Sequence, residues 1–557
     1  MAAISLGLAL AVSVIAVPAT GAQPAPQAKE KNNLVIMIGE KDAPWCNQDS
    51  AGIDQVSAKN SVLETLTLQN DAGKMVPYLA KTVTSNATKD VWTVTLNEGI
   101  MFTDGEELTS DTLEVNYQAL TGSIKLFQGG KGQSASLPAI TWMDISGITS
   151  AIAGKTAPAL FGPMMSTFKK FFVKKSKYVV EFNLRAPNPE FINNLWGNGR
   201  NTVMSTKSLL DPNCGITPAA TIGTGPFKVL AKGIDPFTTK LVANATYWRS
   251  TKANPLPKAS AVEFKVVQDG AQRVNALRRG TADIATFGST SNQQLTLLTT
   301  LKSKITLLQG PRDTTWNMHL NTTALPFSNK NARLAFSYAL DVVKFTKLNT
   351  GPWADPAVRI ATKGHPYYVS AKSAQFDLAK AKAAVKAYKT ETNKPLAIVM
   401  PIADSVESAK TGNAVCKMMK AAGMTCELMA PTTSTAYILR GFALQQQLSW
   451  FNVVAGNSAS FANLFSRKTD LELSGFRFTN PALAACFESA MQSGKVSDYR
   501  GCAKTIQDEA YWVPTYSEGG FIAFNNNVKG LGKTPLAKGG FRPPLGLSGF
   551  DFASVTK

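Results

Sequence analysis

The chain has one apolar run long enough to act as an export signal, and it lies at the N-terminus. Leu6 to Val17 (LGLALAVSVIAV) has signal-peptide length and is followed by small residues through Thr20, Gly21 and Ala22, the pattern of a segment removed after translocation. Residues 1–22 are therefore read as a signal peptide cleaved after Ala22, and residues 23–33, beginning with a Pro/Ala/Gln-rich stretch, as a linker. No Lys or Arg precedes the run, as if the true start lay upstream, and the first cysteine, Cys46, is too distant to be a lipid attachment point. A buried N-terminal helix is the competing reading. Beyond the run, no stretch approaches the roughly 18 to 20 apolar residues needed to span a bilayer. The rest of the chain is expected to fold in water, in the periplasm or outside the cell.

Such a compartment gives the cysteines a structural use. They number six, at 46, 214, 416, 426, 486 and 502, with no CxxC pair, and the chain has only two histidines, His319 and His365. Zinc-site spacing is absent, so no metal or other cofactor is expected. Cys416 with Cys426 and Cys486 with Cys502 are plausible local bridges, which leaves Cys46 with Cys214; free buried thiols are the alternative. Val415, Met418, Met419 and Ala422 follow helical spacing up to a capping Gly423, after which TCELM returns as a strand. Asn480-Pro481 and Ser497-Asp498 open two successive helices carrying Cys486 and Cys502.

With 557 residues the chain implies several domains or one large multi-lobed body. Hydrophobic residues at 44% against charged residues at 17% exclude long intrinsic disorder. Strands and helices mix without a repeat. Val91–Leu96 (VWTVTL) alternates with period two, Phe171 to Leu184 reads as a hairpin, and Leu378, Ala381, Val385 and Tyr388 form one helical stripe. The pattern is that of α/β lobes.

Enzymatic motifs are nearly absent. Ser166 to Lys169 matches SxxK and Lys410-Thr411-Gly412 matches KTG, the strings of a penicillin-binding type serine acyltransferase. No Ser-x-Asn triplet lies between them, and two histidines leave little room for imidazole acid–base chemistry. The basic run Phe168 to Tyr178 (FKKFFVKKSKY) interleaves Lys with aromatics as a nucleic-acid surface would, but it reads better as a strand with lysines at its solvated turn. No nucleic-acid partner is expected.

A series of motifs then carries a resemblance. Ser61-Val-Leu-Glu-Thr-Leu-Thr, Met75-Val-Pro-Tyr-Leu-Ala-Lys and Val91 through Gly105 are followed by Gly223-Thr-Gly-Pro-Phe227, the Asn244 to Trp248 segment and Gly280-Thr-Ala-Asp-Ile284. Asn321-Thr with Pro326-Phe327, Ala332 to Asp341, Phe376 to Lys382 and Val528-Lys-Gly530 continue it. In this order they resemble the extracellular solute-binding protein family 5, the peptide-, opine- and nickel-binding components of ABC importers. The resemblance implies the two-lobed α/β periplasmic-binding-protein fold (type II, large three-subdomain form) with a two-crossing hinge. Lobe I would occupy residues 34–288, with an inserted subdomain at about 71–197; lobe II would fill 289–514; and 515–557 would return to lobe I. The crossings would lie near Thr286 to Thr290 and Pro514 to Ser517.

Peptide-binding members of that family carry a Trp followed three residues later by an Asp that takes the peptide's ammonium. Leu448-Ser-Trp450 matches the Trp, but the third following residue is Val453, and no acid appears until Asp470. A buried ammonium without a counter-charge would cost about 3 to 5 kcal/mol, so free-amine peptides are disfavoured unless Glu518 or Asp42 replaces the acid. Asn452, Asn457 and Ser458 offer neutral hydrogen bonds. Further candidate wall residues are Trp45, Trp196, Asn317, His319, Tyr516 and Glu518. The expected site is a closed, aromatic-lined pocket with few charges.

The leading function is therefore the substrate-binding component of an ABC importer, a monomer whose partners are membrane permease subunits and a small-molecule or peptide-like ligand. A receptor subunit signalling to a sensor is a near neighbour. A serine acyltransferase and an exported polyanion- or surface-binding protein are the alternatives, the second suggested by a net charge of +20.

Overall fold

The computed structural model describes residues 32–39, 45–46, 53–70, 74–120, 168–185, 187–199, 201–234, 237–287, 292–301, 303–309, 312, 314–432, 436–437, 440–441, 443–454, 474–531 and 552–557. The signal peptide and nearly all of the linker, Asp42, Ser166, Asn457 and Ser458 lie outside the described residues. Among those described, no helix is long and apolar enough to cross a membrane.

Period-two alternation builds the first layer. Asn33–Ile38 buries every second residue and forms the centre of a seven-stranded sheet. The sheet order is Phe227–Ile234, Thr238–Ala243, Ala261–Val266, Asn33–Ile38, Ile284–Phe287, Phe521–Asn525, Ile305–Gln309. Asn33–Ile38 runs parallel to both neighbours, a pairing that requires a crossover. Helix Gly270–Arg279 supplies it, started by the Asp269 side chain and ended by Gly280 at φ 68°. One sheet face packs Leu34, Ile36, Val262 and Phe552, and the other packs Val274, Leu277, Leu298 and Phe521.

An insertion into this layer forms its own sheet, in the order Ala80–Ser85, Val91–Leu96, Val179–Asn183, Phe172–Ser176. Helix Ser110–Leu120 covers it over a core of Trp92, Tyr117, Phe172 and Phe182. The basic hairpin belongs here, and its lysines are held by acids. Lys174 lies 2.8 Å from Asp111 and 2.7 Å from Glu114, Lys175 lies 3.1 Å from Glu181, and Lys177 lies 2.8 Å from Glu107. Three of the five lysines in the run Phe168 to Tyr178 thus face carboxylates, while Lys169 and Lys170 are exposed on the short helix Phe168–Phe171 before the hairpin.

Four of the motifs that carried the resemblance meet at one buried carboxylate. Glu64, from the first motif, is 3% exposed. Its Oε1 accepts from Tyr78 Oη and, at 2.8 Å, from Tyr247 Oη. Its Oε2 accepts from Thr224 Oγ1 and Trp248 Nε1, each at 2.8 Å. Arg249 Nη1 stands 3.3 Å from both tyrosine hydroxyls. Burial pushes the Glu64 carboxyl up from its ordinary value, while the four donors pull it back. The hub ties the inserted subdomain to the first layer.

The second sheet has the order Ala354–Pro356, Trp512–Glu518, Thr314–Leu320, Leu448–Val454, antiparallel throughout. Helices Lys330–Ala339, Val342–Asn349, Leu378–Thr392 and Val406–Ala421 contribute to one core beside it, and Pro481–Ser493 with Val496–Asp508 to a second. The chain changes sheet between Gln309 and Thr314, and again between Glu518 and Phe521. Both changes lie further along than the expected crossings near Thr286 to Thr290 and Pro514 to Ser517. Ile305–Gln309 first returns to the seven-stranded sheet as an edge strand beside Phe521–Asn525, and the strand after Pro514 keeps pairing as far as Glu518.

All six cysteines are bonded, as Cys46–Cys214, Cys416–Cys426 and Cys486–Cys502, the three pairs the sequence suggested. Cys46 joins the core of the seven-stranded sheet with Cys214 packed against it, Cys416 and Cys426 share one core of the second lobe, and Cys502 lies in the other with Cys486 against it.

Candidate functional site

The central strand of the second sheet, Thr314–Leu320 (TTWNMHL), sends alternate side chains to opposite faces. Trp316 joins the core that holds Phe345 and Tyr516, with Trp450 packed against the same cluster. Trp316 and Trp450, on neighbouring strands, have ring centroids 5.0 Å apart. Tyr516 stands 5.8 Å from Trp450, and Phe345 stands 5.9 Å from Trp450. Phe345 and Tyr516 are fully buried, whereas Trp316 and Trp450 are half-buried and form the lip of the cluster.

Polar groups hold the lip in place. Trp450 accepts no freedom at its backbone, where N donates to Tyr437 Oη at 2.8 Å, and its Nε1 donates to Thr515 Oγ1 at 3.3 Å. Thr515 Oγ1 in turn donates to the Trp316 carbonyl at 2.8 Å. Trp316 Nε1 donates to Glu518 Oε1 at 2.7 Å. Glu518 is 2% exposed and ends its strand opposite Thr314, which pairs in turn with Val454. Asn452 is the register partner of Trp316. Burial, with the Glu518 charge adding to it, holds the Tyr516 hydroxyl well above its usual range, so it stays neutral.

Four of the expected wall residues, Trp450, Asn452, Tyr516 and Glu518, thus gather around one tryptophan that the sequence reading passed over. Strand alternation is the signal in the sequence: Asn317 and His319 lie on one face of this strand and Trp316 on the other. Asn317 is fully buried and its Nδ2 donates to Ile360 O at 3.0 Å. His319 is also fully buried, with its ring 4.4 Å from that of Trp512, and burial lowers its pKa to about 3. Trp45 is 2% exposed in the first core, its backbone N donating to Gly215 O at 2.8 Å beside the Cys46–Cys214 bridge. Trp196 is buried after the short helix Phe191–Asn194 of the inserted subdomain. Neither lies on the Trp316 strands.

Of the two strings that suggested a serine acyltransferase, the first has its Ser166 outside the described residues. Lys410 of the KTG string is exposed on helix Val406–Ala421, and Thr411 donates to Asn349 Oδ1 at 2.7 Å. Among the described residues, no group of three or more His, Cys, Asp or Glu side chains is placed to hold a metal ion.

A mixed seven-stranded sheet joined by two crossings to a second sheet, with an aromatic lip at the second sheet's crossing end, defines a two-lobed binding protein. The model of the bacterial extracellular solute-binding proteins, family 5 (middle), matches residues 74–471, and the chain belongs to that family. It is 23% identical over 504 residues to the periplasmic murein peptide-binding protein MppA of Escherichia coli K12, covering 87% of this chain and 88% of that protein. Its fold matches the periplasmic binding protein DppA from Helicobacter pylori in complex with the peptide STSA, with TM-score 0.75 and 16% identity over 94% of this chain and 98% of that one. It also matches AgaA of A. tumefacien R10 in complex with agropinic acid, with TM-score 0.72 and 17% identity over 94% and 98% of the two chains.

Proposed function

We propose that the protein is the exported substrate-binding component of an ABC importer. It captures a small peptide-like or other polar organic solute between its lobes, performs no turnover, and delivers the solute as a monomer to membrane permease subunits. The observation that carries this reading is the Trp316–Trp450 lip at the end of the second sheet, beside the crossing between Glu518 and Phe521. Half-buried indoles with oriented polar neighbours are what a desolvating pocket uses to hold a solute. The relatives widen the ligand class to peptides and to agropinic acid, and this chain is read as a member of the same functional group.

Closure requires that the solute bind the closed arrangement better than the open one. Native mass spectrometry of the purified protein identifies what co-purifies, and small-angle scattering with that solute is expected to show a fall in the radius of gyration. An unchanged radius at saturation would count against hinge closure. Trp450→Ala is expected to weaken binding of the same solute by about 2 kcal/mol, roughly thirtyfold, as for a desolvated aromatic anchor. Calorimetry that finds less than a threefold change would place the solute elsewhere.

A further inference from the structure

We propose that Trp353 is a brace across the pivot: it reaches from the second lobe into the first, favours the drawn-together arrangement of the two, and so sets how tightly a solute is held without touching it; this rests on the binding-protein reading above. The chain leaves helix Val342–Asn349, turns through Gly351, Pro352 and Trp353, and joins the second sheet as the edge strand Ala354–Pro356. Both flanking elements belong to the second lobe. The Trp353 ring does not: it packs against the core of the seven-stranded sheet that holds Leu295, Leu298 and Phe521. It meets Phe521 edge to face, with ring centroids 5.6 Å apart. That contact spans the second crossing. Ala354 pairs with Glu518, which ends its strand in the second sheet; Phe521 begins its strand in the first, and only Gly519 and Gly520 lie between them.

The first crossing is tied to the same turn. Arg312, between Gln309 and Thr314, donates from Nη2 to Pro352 O at 2.6 Å and from Nη1 to Asp355 Oδ1 at 2.5 Å, and Gln309 Nε2 donates to Trp353 O at 3.4 Å. One short turn therefore touches both links between the lobes. Glycine has no Cβ to restrict its torsions, so Gly519-Gly520 alone would leave the second link loose. An indole seated across it supplies stiffness that the backbone lacks. The second crossing is buried from Ser517 through Phe521, so in this arrangement the lobes cover their own link, and swinging them apart would draw Trp353 off Phe521. The role of the ring is apolar: among the described residues its buried Nε1 has no hydrogen-bond partner, which costs stability, so the residue contributes shape and area. Because a solute binds the closed arrangement better than the open one, a contact that raises the closed population raises the apparent affinity by the same factor.

The test reads the lobe arrangement of the full-length protein without a solute. All six cysteines are bonded, so dyes can be placed on Lys240→Cys in the seven-stranded sheet and Lys386→Cys on helix Leu378–Thr392, both exposed positions. Single-molecule energy transfer then gives the distance between the lobes. Relative to the parent, Trp353→Ala is expected to shift the unliganded protein toward longer distances and to weaken binding of the solute identified by native mass spectrometry by about three- to tenfold. Trp353→Phe, which keeps a ring against Phe521 and removes the unpaired N–H, is expected to return both readouts to within about twofold of the parent. Unchanged or shorter distances in a folded Trp353→Ala protein, weaker binding without a distance shift, or a Trp353→Phe protein that behaves like Trp353→Ala overturns the proposal and leaves the binding-protein reading standing. If no solute co-purifies or binds, that reading fails, and the distance distribution alone decides whether Trp353 braces the lobes. Melting curves of the unliganded variants separate loss of the brace from loss of fold.

Discussion

Glu64→Ala is expected to cost about 3 to 5 kcal/mol of stability, because it leaves buried donors facing a cavity. The carboxylate accepts from Tyr78, Thr224, Tyr247 and Trp248. The indole of Trp248 can only donate, so it has no way to re-pair once the acceptor is gone. The tyrosines differ, since each hydroxyl can also accept, and they lie 3.0 Å from each other and 3.3 Å from Arg249. Glu64→Gln is therefore expected to be milder, about 1 to 2 kcal/mol: its carbonyl can face Trp248 and Thr224 while its amide donates to the tyrosines. Denaturant unfolding of the three proteins measures this order. An alanine variant within 1 kcal/mol of the parent would mean that the hub contributes little net energy.

The second large effect is acid sensitivity. His319 and His365, the only histidines in the chain, are both essentially fully buried in the second lobe, and burial lowers each pKa to about 3 from an ordinary 6.5. Geometry agrees for His365, whose Nδ1 accepts from Tyr367 N at 3.0 Å and so carries no proton. Because the folded values lie below the unfolded ones, the unfolded chain binds more protons between them. The stability is fully present above about pH 6.5 and is lost as pH falls toward 3. Each histidine contributes a slope of about 1.4 kcal/mol per pH unit within that window. Urea unfolding at pH 7, 6, 5 and 4 should show the decline, and His319→Gln or His365→Asn should each remove about half of the slope. Glu64 acts in the opposite sense, its raised pKa costing stability as pH rises through that value. Asp90, Asp377 and Asp498, held low mainly by hydrogen bonds, act only below about their ordinary 3.8. A stability that stays flat from pH 7 to 4.5 would contradict the histidine account.

The elements that depend on local pattern were legible. VWTVTL is a strand with alternate residues buried, and Asp377 caps the helix Leu378–Thr392 through its side chain. The hairpin helices were found to within a residue: Asn480 caps Pro481–Ser493, whereas the next helix starts at Val496, with Ser497 and Asp498 already in its first turn. Long-range assembly was not legible. Glu64 meets partners 14, 160, 183 and 184 residues away, so its motifs could be recognised as a series without revealing that they converge. The aromatic cluster stands one residue of strand phase from the expected Asn317 and His319, since a step from Trp316 to Asn317 turns every side chain to the other face. The first crossing was misplaced because nothing in the ITLLQ run states which sheet it will join; only its pairing with Phe521–Asn525 decides that.

The placement of the three disulfides bears on how such a molecule moves. Cys46–Cys214 lies within the lobe built on the seven-stranded sheet, and Cys416–Cys426 and Cys486–Cys502 lie within the other. No covalent staple bridges the two segments where the chain changes sheet. Cross-linking therefore hardens each half like the jaws of a clamp and adds no spring to the pivot. In the hinge closure proposed above, the work of shutting would fall on a few backbone torsions and on the solute between the jaws, so the redox state of the surroundings would govern how rigid the jaws are and leave the setting of the clamp to its cargo.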